Sequence, residues 1–156
     1  MRYWAAPHAS SRCLLVEDQA LIGMALEAYL EDAGYEVAGP FGTCAAALAA
    51  LDTQPLQVAV VDYRLQDGCC LRLVRVLRAR GIPFLVYSGL PRLLDLSSEF
   101  EGIPWLEKPT DRPELLKAVV MLLAASRRGA DRDLIADQTP DETPAHSRPD
   151  QPSAPA

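Results

Sequence analysis

The chain reads as an α/β domain built on a parallel sheet with helices on both faces. Apolar runs of strand length alternate five times with stretches of helical periodicity. The central runs, "CLLV" after Arg12 and "VAVV" from Val58 to Val61, lack polar alternation, the mark of strands buried on both sides. Glycines and prolines punctuate the boundaries between the two kinds of stretch.

Taken in order, "RCLLVED" supplies a first strand over Arg12 to Glu17. "QALIGMALEAYLEDAG" follows as a helix, with Leu21, Ile22, Ala25, Leu26, Tyr29 and Leu30 at helical spacing and Gly34 as its stop. "YEVAGPF" is a short strand, and "CAAALAALD" a small-residue helix ended by Pro55. "QVAVV" is the third strand. In "CCLRLVRVLRARG" Leu71, Val74 and Leu77 face inward and Arg72, Arg75 and Arg78 outward as a solvated face, with Gly81 as the stop. "PFLVYSG" is a strand, "RLLDLSSEF" a weaker helix, and "IPWLEKP" a short strand closed by Pro109. "RPELLKAVVMLLAASRR" is the last helix, with Asp111 as N-cap and Pro113 and Glu114 in its first turn.

Composition divides the chain into three parts. Residues 1–11 form an irregular lead, 12–127 the folded domain, and 128–156 a tail. The tail holds Pro140, Pro144, Pro149, Pro152 and Pro155 with few large apolar residues, so it is expected to be disordered. The 156 residues include 49% hydrophobic ones, enough for one real core. A formal net charge of −6 argues against direct binding to nucleic acid or to an anionic membrane. No apolar run reaches the length of a membrane span, and "MRYWAAPHASSR" lacks the apolar core of a secretory signal. Cys13, Cys44, Cys69 and Cys70 follow no zinc spacing, and adjacent cysteines rarely bridge each other. They read as reduced thiols of a cytoplasmic protein.

Open parallel sheets bind ligands at the carboxyl ends of their strands. Here the first strand ends in Glu17-Asp18, the third in Asp62, the fourth in Ser88-Gly89 and the fifth in Lys108-Pro109. Crowded carboxylates either protonate or recruit a cation, and a hard divalent ion such as Mg²⁺ suits oxygen donors. A lysine opposite them can meet a phosphoryl oxygen, and a serine hydroxyl can donate to another. A carboxylate beside a metal is a competent nucleophile towards phosphorus. Phosphoryl transfer to an aspartate is the economical reading.

These residues, in this order, resemble the receiver domains of two-component response regulators. The match covers about Arg12 to Arg127 and rests on Glu17-Asp18, Asp62, Asp67-Gly68, Ser88-Gly89 and Lys108-Pro109, whose separations also fit. The resemblance implies a flavodoxin-like doubly wound (βα)5 fold with a five-stranded parallel sheet in the order 2-1-3-4-5. It implies that Asp62 accepts the phosphoryl group from a histidine kinase or a histidine phosphotransfer protein. Asp18 and Asp62 would ligate Mg²⁺, with Glu17 acting mainly through water and the backbone carbonyl of Arg64 completing the protein ligands. Lys108 would pair with the phosphoryl group, and its peptide bond to Pro109 is often cis in this family. Ser88 would move towards that group, and Trp105 stands where the family's switch aromatic stands. The protein would then be a stand-alone phosphoacceptor rather than an enzyme, with its output carried by an unidentified protein partner. A phosphorylation-dependent homodimer is compatible with the resemblance.

The chain departs from the family pattern in three places. Its acidic pair is Glu-Asp rather than Asp-Asp. Leu65-Gln66 replaces the usual Leu-Pro, which predicts a less rigid loop. Trp105 is larger than the usual Tyr or Phe. Plainer roles compete: Asp62 as a turn residue, Asp18 as the N-cap of the first helix, Glu17 as a solvated edge acid, Trp105 as core packing. Competing functions are a degenerate receiver that binds partners constitutively, an aspartyl-phosphate hydrolase, and an FMN-binding protein. The hydrolase usually needs a second acid two residues after the nucleophile, where this chain has Arg64. FMN binding needs a hydroxyl-rich loop after the first strand, where this chain has acids.

Overall fold

The structure, a computed structural model, describes residues 11–92 and 98–136. Its elements run β1 (Arg12–Val16), α1 (Ala20–Asp32), β2 (Glu36–Phe41), α2 (Cys44–Thr53), β3 (Val58–Val61), the two-residue strands β4 (Arg64–Leu65) and β5 (Gly68–Cys69), and α3 (Leu71–Ala79). After these come β6 (Phe84–Ser88), a 3-10 turn over Ser98–Phe100, β7 (Trp105–Glu107) and α4 (Arg112–Ala136). The main sheet has the order β2-β1-β3-β6-β7, and every pairing in it is parallel. Counted over the five main strands, that is the expected 2-1-3-4-5 order. The strands β4 and β5 form a separate antiparallel hairpin just after β3.

Alternation within the strands divides the core in two. Leu14 and Val16 of β1, Ala59 and Val61 of β3, and Phe84 and Val86 of β6 pack beneath α2 and α3. Their neighbours Cys13, Leu15, Val58, Val60, Leu85 and Tyr87 face α1 and α4 instead. Full burial of such side chains contributes about 1.5–3 kcal/mol each, so the register of the central strands is firmly set. That register fixes which residues emerge at the carboxyl edge.

The structure corrects several expectations. Leu21 is not a core residue but 83% exposed, and Met24 is exposed with it. The helix α1 is apolar almost all round, and only the face carrying Gly23, Leu26 and Leu30 meets the sheet. The first strand stops at Val16, one residue short of Glu17. The N-cap of α1 is Gln19 rather than Asp18. The final helix continues past the expected boundary at 127 to Ala136. Its extension contains good helix formers, and the first proline lies beyond it. The described residues of this extension are exposed, so solvation and local propensity hold it rather than packing. The remainder of the predicted tail, the lead before Ser11 and the middle of the weak helix lie outside the described residues.

The arginines of α3 are exposed but not idle. The guanidinium of Arg78 donates to the carbonyls of Glu99 and Glu101, and Arg75 pairs with the Glu99 carboxylate. Just past the helix, Arg80 donates to Leu51 O and Asp52 at the end of α2. Among the described residues, no helix is long and apolar enough to cross a membrane.

Candidate functional site

The strand ends converge as their sequence positions require. Glu17 leaves β1 with its N–H on Phe41 O, and Asp62 leaves β3 with its N–H on Val16 O, each at 2.8 Å. These bonds extend the parallel ladder one step past the strands and set the two acids side by side. One carboxylate oxygen from each of Glu17, Asp18 and Asp62 lies within 4.8 Å of the others. Glu17 and Asp62 are buried, and Asp18 is partly exposed at the mouth.

Lys108 closes the group from the far side of the sheet. Its Nζ donates to Glu17 Oε2 at 2.5 Å and to Asp62 Oδ2 at 2.9 Å. It also lies 5.3 Å from the centre of the Tyr87 ring. The Lys108 N–H bonds Ser88 O, which brings β6 to the same edge, and the Lys108–Pro109 peptide is cis. Ser88 is buried, and its Oγ accepts the Leu90 N–H at 3.2 Å.

Burial pushes the Glu17 carboxyl above its ordinary range, against the pull of the Lys108 ammonium and the Gln19 N–H. Burial works against the charge on Lys108 too, but the hydrogen bonds it donates to Glu17 and Asp62, with their negative charges, outweigh it and raise its pKa. The ammonium is therefore firmly held while two carboxylates compete for it. A charge imbalance of this kind favours a further cation, and an all-oxygen donor set fits Mg²⁺.

The pocket departs from the sequence reading in detail. Glu17 is buried rather than a solvated edge acid. Both its oxygens are engaged, Oε2 by Lys108 and Oε1 by the Gln19 N–H at 2.9 Å. Its extra methylene, compared with aspartate, lets it reach across. Asp18 keeps its place in the cluster and carries no capping role. Arg64 is exposed at the start of β4, and its N–H points at Asp62 Oδ1 from a long 3.4 Å. Half-buried Trp105 donates its indole N–H to Leu90 O at 2.9 Å and packs with Tyr63 and Phe100, ring centres 5.5 and 5.8 Å away.

Three supporting residues escaped the sequence reading or were given no role in it. Tyr63, directly after Asp62, packs tilted against the rings of Trp105 and Phe100. Arg92 donates to Ile103 O and Phe100 O and ties the segment after β6 to the approach to β7. Asp67, noted only as half of "DG", caps α2 across the chain. Its Oδ1 accepts the Cys44 N–H at 2.8 Å and its Oδ2 the Ala45 N–H at 3.1 Å.

Comparison with solved structures decides the family. SdrG from Sphingomonas melonis Fr1 is 33% identical, matches 75% of this chain and 99% of its own, and superimposes with a TM-score of 0.65. A response regulator receiver protein from Sinorhizobium medicae WSM419 is 29% identical over 76% of this chain and 98% of its own, with a TM-score of 0.69. The chemotaxis protein CheY4 of Vibrio cholerae is 26% identical over 74% of this chain and its full length, with a TM-score of 0.64. The chain belongs to the receiver domains of response regulators. No protein-family profile matches its sequence, and no curated protein does. This receiver is thus identified by its fold and its strand-end residues together. Its departures, Glu17, Gln66 and Trp105, each have a specific partner in the structure.

Proposed function

We propose that this receiver is a phosphorylation-controlled signalling module whose acceptor is Asp62. The observation that carries the reading is the buried convergence of Glu17, Asp62 and Lys108, with Asp18 at its mouth. Buried charges of this kind are a poor way to stabilise a fold. They suit a site whose charge balance is completed by ligands.

Asp18 and Asp62 are the residues that would hold Mg²⁺, with the Arg64 carbonyl as a third protein oxygen. Bound there, the ion would supply positive charge for an incoming phosphoryl group. Asp62 Oδ2 is held by Lys108, and Oδ1 has only the long contact from Arg64, so Oδ1 is the freer nucleophile. Its attack forms a P–O bond as the P–N bond of a donor phosphohistidine breaks, and the imidazole nitrogen keeps the electron pair. The donor is a histidine kinase or a histidine phosphotransfer protein. Lys108 then exchanges its Asp62 oxygen for a phosphoryl oxygen.

Ser88 carries the change outward. Ser88 Oγ accepts the Leu90 N–H, and Leu90 O is the partner of the Trp105 indole, so a shift of the hydroxyl to donate to the phosphoryl group displaces Leu90 as well. A new charge at Asp62 therefore reaches the surface around Trp105 through two hydrogen bonds. That surface meets an output protein, and the chain acts as phosphoacceptor rather than enzyme, in the cytoplasmic compartment where its donors work.

The test is incubation with Mg²⁺ and acetyl phosphate, read by intact-protein mass. Wild type gains one phosphoryl group, and Asp62→Asn gains none. A wild type that stays unlabelled, yet still binds a partner, would make this a constitutive binding protein instead.

A further inference from the structure

The hairpin β4–β5 is fixed to the rest of the molecule by its turn. Gln66 N–H donates to Gly42 O at 3.0 Å, and the Gln66 amide lies so close to Gly42 that a Cβ there would come within 3.2 Å of it. Asp67 then takes the first two N–H groups of α2, and Thr43 Oγ1 takes the third, from Ala46. At the other end of the loop, Cys70 N–H closes on Tyr63 O at 2.9 Å. Gly68, at φ 120°, makes the bend that returns the chain after Asp67. Between these two fastenings lies Arg64, whose backbone stands beside Asp62.

The loss of proline after Leu65 predicts a looser loop, but the connections are the reverse of loose. Helix α2 begins at Cys44, two residues after Gly42, and is packed into the core through Ala47, Ala50 and Leu51. A loop carboxylate bidentate on its N-terminus is charge-assisted and favoured by the helix dipole. A capping residue of a helix would ordinarily come from the helix's own chain entry, as Thr43 does here. The second cap comes from the loop that follows the acceptor.

We infer that Asp67 is a positioning residue for the acidic pocket: its bonds to the α2 N-terminus hold the Arg64 backbone at the distance from Asp62 that cation and phosphoryl binding require. The inference rests on the function proposed above and adds a residue that touches neither ion nor phosphoryl group. It explains why the chain tolerates glutamine in place of proline at position 66. The side-chain clasp supplies the restraint that a proline ring would have given.

The experiment measures Mg²⁺ and Mg²⁺–beryllofluoride affinity by tryptophan fluorescence in wild type, Asp67→Ala, Asp67→Asn and Thr43→Ala. Thr43→Ala removes a cap from the same helix without touching the hairpin, and so controls for helix stability alone. Asp67→Ala is expected to weaken both ligands roughly tenfold, the scale of lost supporting contacts at metal sites. Asp67→Asn, with one carbonyl oxygen left to accept, is expected to fall between. Thr43→Ala is expected to bind as wild type does even where its melting temperature drops. Equal weakening by Thr43→Ala and Asp67→Ala, or wild-type affinity in Asp67→Ala, overturns the inference. A wild type that binds neither ligand overturns the proposed function instead, so the two failures are distinct.

Discussion

Two ion pairs in this molecule have the same length and opposite meanings. Lys108–Glu17 and Arg80–Asp52 both measure 2.5 Å. The first is sealed, its side chains 11% and 1% exposed, and the second is open, at 41% and 69%. Water and salt screen the Arg80 pair, so it is worth little beyond tying α2 to α3. Much less screening reaches Lys108, which must serve Asp62 as well as Glu17. Distance alone says nothing about what a charge pair does; burial and the count of charges around it do. The open pair closes on itself, while the sealed one leaves a negative charge in excess.

The largest difference between the two pairs is expected at Asp62. Asp62→Asn is expected to abolish labelling by acetyl phosphate while leaving the metal-free melting temperature equal to wild type or higher, because it removes one of two carboxylates competing for Lys108. A large loss of stability in this variant would mean that the cluster is structural. Next in size is Lys108→Met. Removing one partner of a buried pair strands the other charges, and the cost is about 3 kcal/mol in urea unfolding. Arg80→Ala, measured alongside, should cost less than about 1 kcal/mol. Comparable values would erase the distinction drawn here.

Smaller again is Trp105→Phe, which keeps a ring beside Tyr63 and Phe100 but loses the N–H on Leu90 O. It should cost about 1 kcal/mol and leave labelling of Asp62 intact. Loss of labelling would place Trp105 in the acceptor site rather than downstream of it. The smallest effect concerns pH. The backbone N–H groups of Cys44 and Ala45 hold the Asp67 carboxyl below its ordinary 3.8. Its contribution is therefore complete above that value and is lost as pH falls through the lower folded one. Between about pH 5 and about pH 3 wild type should lose slightly more melting temperature than Asp67→Asn. Parallel curves would show that the exposed cap contributes nothing through its charge.

The sheet and its polar edge were legible because both depend on local pattern. Runs such as "VAVV" cannot be solvated, and an acid ending such a run must stand at the rim. Asp62, Lys108 and Ser88 follow from that logic, and the structure brings them to one edge. Partnerships between distant loops carry no such signal. Asp67 looks like half of a turn dipeptide, and nothing in "QDG" announces Cys44 and Ala45 as its partners. Leu21 misled for a different reason: a helix apolar on every side does not declare which face the sheet will take. The end of α4 was misplaced because the composition turns polar from Arg128, although a solvated helix turn needs no apolar residues and the first proline of the tail comes only at Pro140.

The long final helix sets where anything attached to this domain must leave it. It starts beside the pocket at Asp111 and runs back along the sheet, so that Leu123, Ser126 and Arg127 stand against Leu56, Gln57 and Pro83 at the strands' starting edge. Its exposed turns carry the chain still farther in that direction. The helix therefore delivers its last described residue, Ala136, towards the pole opposite Asp62, and a label placed there stands away from the acidic pocket.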